Sequence, residues 1–447
     1  MFPSVRKALP LLLCLALTLF DFVFSKPPGT IHGSDDIFYF IYLPSIVVDR
    51  DLDFANQLQK FRASRDDNVL DNVPVSPNGR IINRYGLGYA LLSVPFFLLG
   101  FPGAFLARAF GISWSYDGMN PIFQFSTTLA SVVWGFVGLD LCRRLLQRHF
   151  THVAARRATW MTFWATPLVY YVCLTPTMAH ASAFFAAALW LYVWDRRTPD
   201  LPLRQAMVLG AAGALAFLVR YSHLLVWLGA LLDWFRWRSE RPAGLTFGHW
   251  LRFWFVAVLT FLVCIVPQLW AWDILFGQAL VNPYRRSDLF AYWISPRFEE
   301  VLFSDLRGLF NWHPILFFAA VGLIVSLSRQ RWLASYSIVV LAGFIYLQAS
   351  YTLSLGVSFG NRVFVDALPF FAVGLAAFLS AGPWQGLRWG LCLCLVFLNL
   401  VLALSYRFQP TSEGASSWPQ RLARAGKVPA EAMARVQEII PRFKSPS

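Results

Sequence analysis

The sequence predicts an all-α, polytopic integral membrane protein. Of its 447 residues, 57% are hydrophobic and only 14% are charged, and the mean hydropathy is +0.52. A soluble domain would carry roughly 25% charged residues. Apolar segments long enough to cross a bilayer as helices recur along the whole chain, which is the pattern of a protein with many membrane-spanning helices.

The first apolar segment follows Arg6 and Lys7 and ends in FDFVFSK. A signal peptide also begins with basic residues, but it needs small residues at its cleavage site, and this segment has bulky ones there. We therefore interpret it as an uncleaved first span with the N-terminus in the cytoplasm, and a cleaved signal peptide is the alternative.

About eleven spans are expected along the chain. They fall near residues 9–24, 119–142, 158–174, 179–194, 205–219, 222–235, 250–272, 312–327, 332–350, 363–381 and 389–405. Lys and Arg collect in short connectors that this arrangement places in the cytoplasm, as the positive-inside rule requires. The outer side receives a long first loop, 25–118, and a C-terminal tail, 407–447, beyond a membrane domain of residues 1–406.

Residues 87–112 are also apolar enough to cross the membrane. A single crossing would place the next basic loop outside, although that loop has five arginines and no acidic residue. Pro95 and the sequence GFPG at 100–103 would also interrupt a continuous helix. We expect an interfacial or re-entrant helix pair that returns to the side it left.

The composition excludes some classes of function. A net charge of +14 would suit nucleic-acid binding, but the basic residues lie in short loops between spans and not on an exposed soluble face. The six cysteines all lie in or beside apolar segments, where they are typical of buried core residues and not of a disulfide frame or a metal site.

Polar residues on the predicted outer side are candidates for function, because charges beside or within the membrane are costly. They are Asp35, Asp36, Arg84, His180, Arg220 and Arg362. A lipid-linked sugar phosphate would place its tail among the spans and its phosphate on the arginines, whose planar groups donate paired hydrogen bonds. A carboxylate opposite could accept the proton of an attacking hydroxyl.

The chain resembles the GT-C superfamily of membrane glycosyltransferases, and within it bacterial members related to protein O-mannosyltransferases and aminoarabinose transferases. The resemblance runs from about residue 9 to 381. It is carried by SDDIFYFIYLPSI, NRYGLGYALLSVPFFLLG, TPLVYYVCLTPTMAHASAFF, ALAFLVRYSHLL and SFGNRVFVDALPFF, in that order.

The resemblance implies a role for several of these residues. Asp35 would be the catalytic base, with Asp36 beside it in a supporting or alternative role. Arg84, followed by Tyr85, would stand where relatives carry a lysine that approaches the donor phosphate. His180 would be a possible site residue. The placement of charge on the outer side, apart from the resemblance, makes Arg220 and Arg362 candidates to bind the donor phosphate as well. The second acid is Asp where relatives have Glu, and no acid follows the third span, which leaves a divalent metal open as cofactor.

Each candidate also has a structural interpretation. Asp35 could cap the following helix, and Arg84 and Arg220 could extend to lipid headgroups. Arg362 could pair with Asp366 one helical turn on, and His180 could pack between helices. The carboxylates of Asp49, Asp51 and Asp53 could form an oxygen cluster for calcium, but a solvated turn is the favoured interpretation.

The expected function is transfer of a sugar from a polyprenyl-phosphate carrier to a lipid, glycan or protein acceptor outside the cytoplasm, in the bacterial inner membrane, with inversion. A transporter or lipid flippase is a rival, although transporters bind at the bilayer midplane between repeats and no motif here is repeated. An oligosaccharide ligase or polymerase with a pyrophosphate-linked donor is a second rival, and a non-catalytic subunit is a third.

Overall fold

The protein is described by a computed structural model. The structure describes residues 5–23, 31, 33–64, 70–71, 73–240, 246–284, 290–351, 358–408, 417–430, 433 and 437. Within these residues the chain is helical, and its extended pairing is limited to an isolated bridge between Val75 and Ile81. This confirms the prediction of an all-α fold.

The α-helices follow one another with short connections. In chain order they are α1 (Val5–Val23), α2 (Ser34–Phe40), α3 (Tyr42–Pro44), α4 (Ala55–Ala63), α5 (Gly88–Phe97), α6 (Gly100–Arg108), α7 (Pro121–His149), α8 (His152–Trp164), α9 (Leu168–Cys173), α10 (His180–Asp195), α11 (Leu203–Val219), α12 (Gly229–Glu240), α13 (Phe247–Phe276), α14 (Phe298–Phe303), α15 (Leu309–Trp312), α16 (Ile315–Ser326), α17 (Arg331–Ala349), α18 (Leu368–Ser380), α19 (Gln385–Phe408) and α20 (Trp418–Ala425). A π-helical turn covers Ser45–Asp49, and 3₁₀ helices cover Tyr221–Leu228 and Arg362–Ala367.

Six helices of the described chain are long and apolar enough to cross a membrane. They are Gly88–Arg108, Pro121–His149, Phe247–Phe276, Arg331–Ala349, Arg362–Ser380 and Gln385–Arg407. Shorter apolar helices cover Pro10–Phe20, Leu203–Val219 and Ile315–Ser326. All eleven predicted spans fall on helical segments, but a count of eleven crossings stays a prediction.

Several of the predicted spans are not one continuous α-helix. The span near 158–174 is divided between α8 and α9 at Ala165–Pro167, because a proline cannot continue the hydrogen bonding of a helix. The span near 222–235 begins as the 3₁₀ helix Tyr221–Leu228 and continues as α12. Hydropathy detects the apolar content of such segments but not these breaks.

The described residues form two compact units, each with segments from separate parts of the chain. The first comprises Met1–Leu141 and Tyr171–Ser287, and the second comprises Cys142–Tyr170 and Asp288–Ser447. The first unit therefore contains the whole range of the predicted outer loop, 25–118, whereas the second contains that of the predicted tail, 407–447. Most of that tail lies outside the described residues, which include α20.

In the first unit, α11 packs against α10, α13 and α5. The approach of α5 to α11 is so close that a Cβ on Gly88 would lie 2.3 Å from the backbone nitrogen of Val219. The Gln268 side chain of α13 accepts a hydrogen bond of 2.8 Å from the backbone N–H of Leu87. Contacts from α11 and α13 thus fix the start of α5, which follows directly after Arg84 and Tyr85.

Helices α5 and α6 form the predicted interrupted pair, with the break at Leu98–Leu99. Before the pair, the Tyr85 carbonyl accepts a hydrogen bond of 3.0 Å from the Tyr42 hydroxyl. After it, a Cβ on Gly118 would lie 3.1 Å from Cβ of Pro44. The residues that flank the pair, Tyr85 three positions before it and Gly118 ten positions after it, thus both lie against α3. The return of the pair to the side it left stays a prediction.

In the second unit, α16 and α18 cross at two glycines. A Cβ on Gly322 would lie 1.9 Å from the carbonyl oxygen of Gly374, and a Cβ on Gly374 would lie 1.9 Å from that of Ala319. Small residues at such a crossing let helix backbones approach closely in a membrane. In the same unit, the Asn399 amide donates to the carbonyls of Trp164 and Thr166, both at 2.9 Å, which joins α19 to the end of α8.

Candidate active site

Asp35 lies in the first turn of α2, but it does not cap that helix. The N-cap residue is Gly33, and no side chain of the described residues caps it. The Tyr85 hydroxyl donates to Asp35 Oδ1 at 2.5 Å, and Arg84 Nη2 lies 3.9 Å from the same oxygen. The Asp35 side chain is 22% exposed and that of Arg84 is 46% exposed. The carboxylate is therefore held by its neighbours and remains accessible from one side.

Local hydrogen bonds position the segment that carries Arg84 and Tyr85. The buried amide of Asn83 donates to the Phe38 carbonyl at 2.7 Å, and its oxygen accepts from the Tyr85 N–H at 3.2 Å. These bonds join the segment before α5 to α2. They explain how the NRYG sequence brings its arginine and tyrosine to Asp35, 50 residues away in the chain.

Tyr39 connects this group to Arg220. Its ring lies 4.3 Å from the Tyr85 ring between centroids, and its hydroxyl accepts a hydrogen bond of 3.3 Å from Arg220 Nη1. Helix α11 ends at Val219, and Arg220 follows it with an extended backbone conformation. The structure thus brings the Asp35 carboxylate together with Arg84 and Tyr85, and Tyr39 links this group to Arg220 in the first unit.

Burial keeps the phenols protonated. The Tyr85 pKa is raised well above its ordinary value, first by burial and then by the negative charge of Asp35. Burial likewise raises the pKa of Tyr39. Tyr85 therefore remains a hydrogen-bond donor to Asp35 at neutral pH, and its donated bond stabilises the ionised form of the carboxylate.

Asp36 is in a different environment from Asp35. It is 2% exposed, and its Oδ1 accepts a hydrogen bond of 2.6 Å from the Thr177 hydroxyl. A Cβ on Gly33 would lie 1.9 Å from Asp36 Oδ2, so the carboxylate folds back over the start of its own helix. A buried carboxylate held in this way is suited to fixing α2 in position, which favours the supporting role that was expected as one alternative.

His180 and Arg362 lie on other elements than these residues. His180 begins α10, is 2% exposed, and has its ring 4.7 Å from the Tyr171 ring. That position agrees with a helix-packing residue. Arg362 begins a 3₁₀ helix in the second unit, so its role in binding a donor phosphate stays a prediction.

The three alternating aspartates form a hydrogen-bonded turn. Asp49 accepts from the side chains of Asn56 and Gln57, at 2.9 and 2.6 Å. Asp51 accepts from Ser45 at 2.9 Å, and Asp53 accepts from the backbone of Ala55 at 3.1 Å. Each carboxylate thus has its own partner, which supports the solvated turn. The described residues contain no group of three or more His, Cys, Asp or Glu placed to hold a metal ion.

Two residues of this region were not expected from the sequence. Tyr39 and Thr177 make the contacts that join Arg220 to Tyr85 and that hold Asp36. Both lie within motifs that carry the family resemblance, SDDIFYF and LTPTMAH. Their positions within those motifs were the available signal, but pairing across 141 or 181 residues depends on the fold.

Comparison with solved structures identifies the fold. ArnT from Cupriavidus metallidurans bound to undecaprenyl phosphate matches with a TM-score of 0.58 and 13% sequence identity, over 97% of this chain and 70% of that one. The same protein in the apo state matches with a TM-score of 0.57 and 14% identity, over 98% and 73%. The chain thus shares the fold of ArnT, which confirms the expected fold class.

A weaker similarity is to the archaeal oligosaccharyltransferase AglB from Archaeoglobus fulgidus, in complex with an inhibitory peptide and a dolichol-phosphate. Its TM-score is 0.47 and its identity is 12%, over 97% of this chain and 55% of that one, which is too low to indicate a common fold. No protein-family model matches the chain, and no curated protein sequence is significantly similar to it.

Proposed function

We propose that this chain is an integral membrane glycosyltransferase that moves a sugar from a polyprenyl-phosphate carrier to an acceptor hydroxyl. The observation that carries the proposal is the accessible carboxylate of Asp35, bonded to Tyr85 and placed beside Arg84. The same group lies in a fold shared with ArnT, which has been crystallised with undecaprenyl phosphate. The acceptor is a lipid, glycan or protein.

The proposed reaction is a single displacement. The acceptor hydroxyl loses its proton to Asp35 while its oxygen forms a bond to the anomeric carbon of the sugar. The bond from that carbon to the phosphate oxygen breaks at the same time, and its electron pair goes to the phosphate. Attack opposite the leaving group inverts the configuration at the anomeric carbon.

The arginines would stabilise the leaving group. As the sugar departs, the carrier phosphate gains negative charge, and guanidinium groups fixed beside it lower the energy of that state. Arg84 and Arg220 are the proposed donors, and Arg362 is a further one. Tyr85 keeps the Asp35 carboxylate oriented for the proton transfer and does not itself need to ionise.

The proposed location is the bacterial inner membrane, with the N-terminus in the cytoplasm and the site on the extracytoplasmic face. The arginine-rich connectors support this orientation, because basic loops are retained in the cytoplasm. The contacts of Tyr85 and Gly118, which flank the α5–α6 pair, with α3 support it too. In this proposal the segments before and after the pair lie on one side of the membrane, the side of Asp35.

Sugar transfer by purified protein in nanodiscs tests the proposal. A panel of polyprenyl-phosphate sugars is offered with candidate acceptors, and wild type is compared with Asp35→Asn. Loss of a general base costs about 10²–10⁴-fold in rate, so Asp35→Asn should transfer sugar at least about 100-fold more slowly while still binding donor. Asp53→Asn is the matched control, since it removes an exposed carboxylate from the same outer loop.

The same experiment also distinguishes glycosyl transfer from the rival functions. Equal transfer by wild type and Asp35→Asn would refute the role of Asp35 as base. Turnover of pyrophosphate-linked donors alone would indicate a ligase or polymerase. Passage of unmodified labelled lipid across sealed vesicles, without transfer, would indicate a flippase or transporter.

A further inference from the structure

Arginines and tryptophans are concentrated at one end of the second unit. This end, here called the arginine end, is where α8, α17 and α19 begin and where α16 and α18 finish. Arg156 and Arg157 lie on α8, Arg329 and Arg331 lie between α16 and α17, and Arg388 lies near the start of α19. It is the opposite end of α18 from Arg362, which precedes that helix.

Side-chain contacts within the second unit join these segments. The Arg157 guanidinium lies over the Trp389 ring at 4.8 Å, which connects α8 to α19. Arg388 donates to the Phe378 carbonyl at 3.3 Å and lies over its ring, which connects α19 to α18. His149 and Gln330 exchange hydrogen bonds of 3.1 Å between the end of α7 and the start of α17.

The arginine end contains no acidic residue. The segments that build it, 142–170, 315–351 and 367–408, have no Asp or Glu. Arg156, Arg329 and Arg331 are exposed, and Arg157 and Arg388 are half-buried. Three further arginines, at 143, 144 and 148, lie on the last turns of α7, after Asp140 of the same helix.

Exposed aromatic rings lie beside the arginines. Trp384 is 67% exposed and Trp160 is 39% exposed, and the Arg331 guanidinium lies over the Trp332 ring at 4.8 Å. Tryptophan is the side chain that favours the headgroup level of a bilayer. A guanidinium stacked on a ring still presents its N–H groups at the edge, where they can donate to phosphate oxygens.

We propose that the arginine end binds the phosphate headgroups of anionic glycerophospholipids in the leaflet that it faces. Charge complementarity and the neighbouring tryptophans support a membrane lipid as the occupant, because each arginine near a charged leaflet contributes about a fivefold gain in affinity. The fixed stacking of Arg157 on Trp389 makes this a defined site and not only a diffuse attraction. The site is independent of sugar transfer.

Lipid binding to the purified full-length protein tests the inference. Delipidated protein in a neutral detergent is mixed with phosphatidylglycerol or with phosphatidylcholine of identical acyl chains, and bound lipid is counted by native mass spectrometry. Wild type should prefer phosphatidylglycerol by at least about tenfold. The triple variant Arg157→Gln/Arg331→Gln/Arg388→Gln should lose that preference.

A matched control separates a defined site from net charge. Arg196→Gln/Arg238→Gln/Arg252→Gln removes the same charge from exposed positions of the first unit and should keep the preference. Equal loss in both triple variants would overturn the proposal, as would equal binding of both lipids by wild type. Competition by inorganic phosphate at millimolar concentration would show a free-phosphate site and overturn the lipid assignment.

A second variant protects the test against misfolding. Arg156 and Arg329 are exposed, so Arg156→Gln/Arg329→Gln should fold normally, as checked by gel filtration and thermal unfolding. Its preference for phosphatidylglycerol should fall by about threefold or more. An unchanged preference in this well-folded variant would count against the proposal.

Discussion

At the scale of single residues, the two neighbouring aspartates differ in what surrounds them. Asp35 faces Tyr85 and Arg84 and is partly exposed, whereas Asp36 is buried and accepts from Thr177. The two carboxylates are adjacent in the sequence, but they differ in exposure and in their hydrogen-bond partners. We infer that one is placed to exchange a proton with substrate and that the other fixes the helix on which both lie.

Tyr85→Phe tests the positioning of Asp35. The change removes the hydroxyl that donates to Asp35 but keeps the ring against Tyr39. Because one hydrogen bond to a charged group is worth about 1.5–3 kcal/mol, kcat should fall roughly tenfold or more. The donor KM should change little, since Tyr85 is not a proposed phosphate ligand. Steady-state kinetics in nanodiscs measure both, and a rise in KM with unchanged kcat would contradict the positioning role.

The ionisation of Tyr85 gives a prediction about alkaline pH. Burial and Asp35 raise its pKa well above the ordinary value of 10. Such a group adds to the free energy of unfolding at pH values below its pKa in the unfolded chain. This contribution is lost as the pH rises through its higher pKa in the folded protein. Tyr85 should thus stay protonated through pH 10. Absorbance titration at 295 nm of wild type and Tyr85→Phe should show no difference up to that pH, whereas a tyrosine ionising near pH 9 would contradict the burial.

At the scale of elements, backbone hydrogen bonds decide where helices break, which the pattern of apolar side chains does not predict. Hydropathy locates α7, α10, α13, α17 and α19 well, because these are long and uniformly apolar. It does not locate the division between α8 and α9, or the 3₁₀ start at Tyr221. Those breaks depend on which backbone carbonyls and N–H groups form hydrogen bonds in the folded protein. Pro167 is a local sequence signal for the break between α8 and α9.

The crossing of α16 and α18 gives a prediction at this scale. Gly374→Ala places a methyl group where a carbonyl oxygen lies 1.9 Å away, so the helices must separate. Overpacking of this kind typically costs about 1–3 kcal/mol, and the unfolding temperature should fall.

Gly390→Ala is the matched control for this crossing. Nothing lies within 4 Å of the added Cβ, and the position is inside α19. Alanine should therefore be neutral or stabilise by up to about 1 kcal/mol. Thermal unfolding in detergent compares the two variants, and equal stabilities would contradict the tight crossing.

At the scale of the whole molecule, the charge pattern predicts the orientation, and the structure adds the path of the α5–α6 pair. Lys60 and Asp117 form an ion pair of 2.7 Å, although α5 and α6 lie between them in the chain. The charge of the loops predicts that the pair returns to the side it left, and this return stays a prediction. The grouping of Tyr39 with Arg220 was not predictable, because it depends on where separate helices end.

Cysteine labelling in intact cells tests this topology. With Cys394→Ser as background, Ser64→Cys before the pair and Ser113→Cys after it should both react with a membrane-impermeant maleimide. Ser328→Cys, between α16 and α17, should react only after permeabilisation. Protection of Ser113→Cys alone in intact cells would mean that the segment Gly88–Arg108 crosses the membrane once.

The distance along the chain between Tyr39 and Arg220 has a consequence for biosynthesis. The two residues are 181 positions apart, and ribosomes add about 5–20 residues per second. Roughly 10–40 s therefore pass after Tyr39 is made before its partner exists. During that interval the nascent outer loop carries its carboxylates without the arginine that completes the group. The protein is thus expected to complete this group about midway through translation, when the spans that follow Arg220 are still to be made.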